Sequence, residues 1–178
     1  MEVKNSSLLQ DCVYHKCSNN GVYLRIDGND NQDSMKTEHY YLIEAVKKDD
    51  VNYIIGYYDL DYSKNPNEML LYGYPGNTIL HHAIFYKAKK CVDYLLTKNL
   101  DLSVQNKDEN TPLHIACLQG DYNSVDRLIK YGAELHLKNK YGETCLHSAV
   151  RSGSYNSVMI LVENGLSTSL LDKNNNGE

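Results

Sequence analysis

The sequence predicts a mostly α-helical solenoid of stacked helix-turn-helix units joined by β-hairpin-like turns. Three observations carry that prediction. The segments Thr78-Ile79-Leu80-His81, Thr111-Pro112-Leu113-His114 and Thr144-Cys145-Leu146-His147 recur at a spacing of 33 residues. Downstream the copies stay in register: Gly120-Asp121-Tyr122-Asn123-Ser124-Val125 matches Gly153-Ser154-Tyr155-Asn156-Ser157-Val158. Each unit also carries start and stop signals for two short helices at equal offsets, and a fixed period of this length is the mark of a repeat architecture.

Taken in chain order, residues 1 to 36 fit no repeat. Ser6 to Lys16 reads as a short helix and Val22-Tyr23-Leu24-Arg25-Ile26 alternates like a strand, ahead of a turn-rich stretch from Asp27 to Asp33. This segment is expected to be either a cap over the first repeat or a mobile arm, because the end of an array needs a cover. A degenerate repeat follows at about 37 to 75: placing Ala45 on Ala116 puts Tyr40 where Thr111 stands and makes Val51 to Ile55 the second helix. Its excess length falls in Asn65 to Tyr72, a connection whose apolar residues are expected to pack on the array or on a partner. Three regular repeats are expected at about 76 to 108, 109 to 141 and 142 to 174, with the start of a further one at 175 to 178.

The third repeat shows the logic of a unit. Lys107-Asp108-Glu109-Asn110 is turn-forming, Thr111 is a helix N-cap, and Pro112 sits in the first helical turn, where its missing N–H costs nothing. The first helix runs through Leu113, Ile115, Ala116 and Cys117 to a stop at Gly120. Small residues at Ala83, Ala116 and Ala149 let neighbouring helices approach. The second helix places Val125, Leu128 and Ile129 on one face and stops at Gly132. Neither helix buries its apolar stripe alone, so stacking must supply the stability.

Composition narrows the function. In 178 residues, 42% hydrophobic and 23% charged, there is room for about one domain, and a two-domain enzyme is not expected. Eighteen Lys plus Arg against 23 Asp plus Glu leave a formal charge of −5, which offers no basic footprint for nucleic acid. No stretch reaches the roughly 18 apolar residues that would span a membrane, and the first residues lack a signal-peptide core, so the expected location is the cytoplasm, with the nucleus also open. Nineteen Asn, 16 Tyr and 15 Lys against 3 Arg hint at an AT-rich source genome, poxvirus-like, protozoan or bacterial. Five Cys at wide, unpatterned spacing favour free thiols. Cys12, His15 and Cys17 lie close together, but no second Cys/His pair follows at zinc-finger spacing, so no metal site is assigned. His81, His114 and His147 recur one repeat apart, too far to share a metal, and are read as structural. With no nucleophile elbow, phosphate loop, dinucleotide fingerprint or zincin pair, neither catalysis nor a cofactor is expected.

A 33-residue unit carrying Thr-Pro-Leu-His resembles the ankyrin repeat over residues 76 to 174. The resemblance implies a non-enzymatic module that binds another protein on a concave face of turn tips and first helices. Carried onto this chain, the contact positions are Phe85 and Tyr86 in repeat two and Lys107, Asp108, Asn110, Leu118 and Gln119 in repeat three. Repeat four supplies Lys140, Tyr141, Glu143, Arg151 and Ser152, and Lys47 and Lys48 are the repeat-one equivalents. Phe85 is the only Phe of the chain and occupies a position the pattern exposes, which centres the expected face on repeats two and three. Two narrower readings stand beside this one. In the first the chain is a viral or pathogen adaptor, in a host cytoplasm, that delivers a host protein to ubiquitin-ligase machinery; in the second it is the regulatory part of a longer enzyme. Met159 and Ile160 make the last helix more apolar than a terminal repeat should be, and Gly177-Glu178 echoes Gly142-Glu143, so a further repeat, a partner or self-association through the C-terminal repeat is expected to cover that end.

Overall fold

The computed structural model describes residues 12–16, 23–27, 31–59, 64–70, 76–166 and 173–177. Strands β1 (Cys12–Lys16) and β2 (Tyr23–Asp27) pair antiparallel, with Cys12 opposite Asp27 and Lys16 opposite Tyr23. The helix expected over Ser6 to Lys16 is corrected in its described part, since residues 12–16 are β1; the rest of that segment lies outside the described residues. Val13 and Tyr14 favour a pleated strand, and the ladder to β2 gives it backbone bonds, whereas an isolated helix that short is marginal in water. Helix α1 (Asn31–Lys47) starts inside the turn-rich stretch and runs across residue 37, where repeat one was expected to begin. Helix α2 (Val51–Asp59) is the second helix read from Val51 onward.

The regular repeats follow as α3 (Ile79–Phe85) with α4 (Lys89–Leu96), α5 (Pro112–Leu118) with α6 (Tyr122–Lys130), and α7 (Cys145–Arg151) with α8 (Tyr155–Glu163). Helix α1 packs on α3, α3 on α5 and α5 on α7, while α2 meets α4 and α6 meets α8 behind them. The core between these layers repeats as the chain does. Ala45, Ala83, Ala116 and Ala149 are all buried where first helices approach each other, as are Leu95, Leu128 and Leu161 from the second helices. Cys117 and Cys145 are wholly buried small hydrophobes, and burial beside the Asp49 carboxylate pushes the Cys91 thiol up to about 12. In the connection after α2, Leu70 is buried and its N–H donates to the Asn77 carbonyl at 2.7 Å, while Met69 stays exposed. At the C-terminal repeat Val150, Tyr155 and Met159 are exposed and Ile160 packs partly against the core.

Turns stack on turns. Left-handed residues recur at the turn tips, at Gly76, Glu109, Gly142 and Gly177. A Cβ at Gly76 would sit 2.9 Å from the Lys107 backbone nitrogen, so this glycine is required both by its φ of +77° and by the next turn lying against it. Within each turn an Asn replaces missing backbone partners. The Asn106 side-chain oxygen accepts from the N–H of Asp108 at 2.9 Å and of Asn110 at 3.1 Å, and its amide donates to Asn77 at 2.8 Å. Asn139 does the same for Tyr141 and Glu143 and donates to Asn110 at 2.9 Å. The turn at 173–177 continues the stack, the Asn175 N–H donating to the Tyr141 carbonyl at 2.9 Å.

His81 and His114 lock the starts of α3 and α5 to the turns that follow. At Thr78 the backbone N–H donates to His81 Nδ1 at 3.2 Å and the hydroxyl lies 2.9 Å from the same nitrogen, so Nδ1 is the acceptor. Nε2 therefore carries the proton and donates to the Asn110 carbonyl of the next repeat at 3.1 Å. His114 repeats the arrangement between Thr111 and the Glu143 carbonyl, also at 3.1 Å. The structural reading of these positions thus holds, with a bond across repeats that the motif did not announce.

One helix start is supplied from outside its own repeat. Helices α6 and α8 are capped locally, by Asp121 and Ser154, but α4 begins at Ala88, which has no side chain for the task. Its free N–H groups at Lys90 and Cys91 instead donate to the Asp49 carboxylate of repeat one, at 3.2 and 3.0 Å. The far side of repeat one carries its own polar closure, with Tyr57 and Lys64 both donating to Glu38 at 3.0 and 2.6 Å.

These contacts set three expectations for stability. Burial holds the imidazoles of His81 and His82 down at about 4, whereas in the unfolded chain each takes up a proton near 6.5. Between those values the unfolded state binds more protons, so stability is full above about pH 6.5 and is lost as pH falls towards 4. Urea denaturation at pH 7 and pH 5 should show about 2 kcal/mol lost for each of the two; an unchanged urea midpoint would contradict the neutral-imidazole geometry. His114→Ala should cost about 1 to 3 kcal/mol, because the Glu143 carbonyl loses its donor, read as a lower melting temperature. Asp49→Ala should cost about 1 kcal/mol, as for a lost N-cap, and hydrogen exchange should rise at the Lys90 and Cys91 amides before other positions in α4.

Candidate protein-binding surface

The turn tips and the exposed sides of α3 and α5 enclose an open groove of about 300 Å³. Its apolar walls are Phe85 and Tyr86, from the end of α3, and Ile115 and Leu118, from α5. Asn77, Asn106, Asp108 and Asn110 close the end towards the turns, and His82 lies beneath. Phe85 and Tyr86 are 48% and 37% exposed and meet edge to face, with ring centroids 5.1 Å apart. The helix ends right after them, and Lys87 takes the left-handed conformation that turns the chain away, so two rings are left at an open rim. The Lys47 ammonium sits 5.5 Å from the centroid of the Tyr86 ring.

Of the positions expected to contact a partner, the groove brings together Phe85, Tyr86, Asp108, Asn110 and Leu118. Lys107 is exposed on the turn between two lining residues, and Gln119 is half-buried beyond the end of α5. The repeat-four positions do not line it. Lys140 and Tyr141 are exposed on the next turn, where the Lys140 ammonium pairs with Asp108 and lies 5.0 Å from the Tyr141 ring centroid. The carboxylate beside it holds that ammonium above the usual lysine range. Arg151 and Ser152 are exposed at the end of α7, and Lys47 and Lys48 at the end of α1. Asn110 and Glu143 are each only 7% exposed. Their carbonyls receive the His81 and His114 donors, and their side chains join the Asn ladder, Glu143 also pairing with Arg151. Both therefore serve the scaffold, and Asn110 also lines the groove.

The sequence reading passed over Asn77, His82, Asn106 and Ile115. His82 is the instructive case. It follows the motif histidine, at the position that Ile115 and Ser148 hold in the later repeats, and helical geometry turns that position towards the groove side of the stack. The residue is 2% exposed, its ring stacks on Tyr86, and its Nε2 has no hydrogen-bond partner. Burial, with Lys47 nearby as a second cause, keeps the ring neutral. The available signal was a polar residue at a site where the neighbouring repeat uses Ile.

Nothing in this arrangement juxtaposes a nucleophile with a base. Among the described residues, no three or more His, Cys, Asp or Glu side chains come together as a metal-holding group, and no helix is long and apolar enough to cross a membrane. The surface offers shape, aromatic area and hydrogen-bonding groups. Comparison with curated protein sequences finds no match. The family model for ankyrin repeats in three copies matches residues 95–172, and the model for a single ankyrin repeat matches residues 75–104. Such repeats are in general modules for protein–protein interaction, and this chain, with its 33-residue units, Thr-x-x-His helix starts and stacked turns, belongs to the ankyrin-repeat family.

Proposed function

We propose that the chain is a non-enzymatic binding module that docks another protein in the groove between the turn tips and the first helices of repeats two and three. One observation carries the proposal: Phe85, Tyr86 and Leu118 present apolar surface in a single concavity, on short helices held rigid by the His and Asn ties. Large apolar side chains left open to water at a concave rim are where interface energy concentrates, since a partner gains their burial without unfolding anything. The rim supplies orientation, through Lys107 beside the groove and the Lys140–Asp108 pair on the adjacent turns.

A photo-crosslinking amino acid placed at position 85 should capture a protein partner in cells, whereas one at Tyr122, exposed on the outer helix α6, should not. For the captured partner, Phe85→Ala and Leu118→Ala should each weaken binding by about 2 kcal/mol or more, with the melting temperature unchanged. Crosslinking confined to position 122, or full affinity in both variants, would place the interface elsewhere.

A further inference from the structure

Among the buried side-chain polar atoms bordering the groove, one lacks a hydrogen-bond partner. Asn106 and Asn110 are engaged in the ladder between turns, and the Asp108 carboxylate is held by Lys140. The His82 Nε2 is buried and unpaired. A buried nitrogen without a partner costs stability, and the next repeat meets the same position with Ile115. We propose, on the docking reading above, that the groove takes a tyrosine side chain of the partner, its ring against Phe85, Ile115 and Leu118 and its hydroxyl hydrogen-bonded to His82 Nε2.

The chemistry selects this occupant. The groove's one lining carboxylate is already paired with Lys140, so a cationic side chain entering it would lose water without gaining a counter-charge. A volume of about 300 Å³ lies at the small end of ligand clefts, with room for one aromatic side chain and its flanking backbone. A hydroxyl both donates and accepts, so it satisfies Nε2 in either neutral tautomer, which an indole N–H, a donor only, does not. Apolar walls with a single polar point below them match a ring that is apolar along its length and polar at its tip. Nε2 has no surface open to water, and the ring stacked on His82 is Tyr86, itself more than one-third exposed at the rim. Entry of the hydroxyl therefore requires Tyr86 to tilt outward, which makes Tyr86 a movable cover as well as a wall.

The probes are p-cresol, which is the tyrosine side chain alone, and toluene, its phenylalanine counterpart, titrated into the full chain and followed by NMR. p-Cresol should shift the α3 and α5 amides, the Tyr86 ring protons and the His82 side-chain nitrogens, and toluene should bind about tenfold more weakly. His82→Phe should erase that preference, and His82→Gln, which keeps a polar group at this position, should retain part of it, so that failure of one variant to fold leaves the other decisive. Equal binding of the two probes, or shifts elsewhere on the chain, would overturn the proposal. A random peptide library displayed on phage separates this outcome from failure of the docking reading. Selected peptides that carry tyrosine and are displaced by p-cresol support the anchor. Peptides without tyrosine that still depend on Phe85 overturn the anchor and leave the groove as the docking site. Peptides indifferent to Phe85→Ala and Leu118→Ala overturn both.

Discussion

The architecture depends on neutral imidazoles placed at the starts of α3 and α5. His81 and His114 accept at Nδ1 from their own threonine and donate at Nε2 to a carbonyl 29 residues ahead, so one ring closes a helix end and joins two repeats. Neither a lysine nor an asparagine reproduces this, because the position needs an acceptor and a donor on opposite sides of a rigid plane. Burial keeps the ring neutral, and neutrality keeps the acceptor available, so packing and hydrogen bonding sustain each other. The apolar helix faces then stack at a spacing that these ties and the small Ala positions set together.

That dependence decides which residues are free for binding. Asn110 and Glu143 stand at turn positions where sequence variation is expected to serve recognition, yet in this chain their carbonyls receive the histidine donors and their side chains bridge turns. On the docking reading proposed above, recognition falls to the end of the first helix, where Phe85, Tyr86 and Leu118 border the groove. On that reading, scaffold and contact surface divide within a few residues of each other.

Much of this was legible in the residues. The period of 33, the Thr and His positions, Pro112 and Gly120 mark α5 at both ends, and the same offsets mark α3 and α7. The exposed aromatic pair at 85 and 86 was legible too, since helical periodicity turns those positions away from the buried Ala83. Three features were not. The strand at 12–16 depends on a pairing with residues 23–27 that no local pattern encodes. The burial of Asn110 and Glu143 comes from the neighbouring turn, and reading a unit in isolation cannot supply it. The unpaired state of His82 is a property of what does not reach it, and sequence records only what is present.

The cap that Asp49 lends to α4 reaches beyond the stability of one helix. The ties of His81 and His114 fasten repeats two and three to their C-terminal neighbours by backbone carbonyls, which any residue provides. The Asp49 contact fastens repeat two to its N-terminal neighbour by a particular side chain, held in a left-handed conformation at a φ of 51°. The junction between repeats one and two is therefore addressed: a unit spliced between them, or exchanged for the first, must bring a carboxylate to that point or leave two amides of α4 without a partner. Here the order of the units is written into the chain.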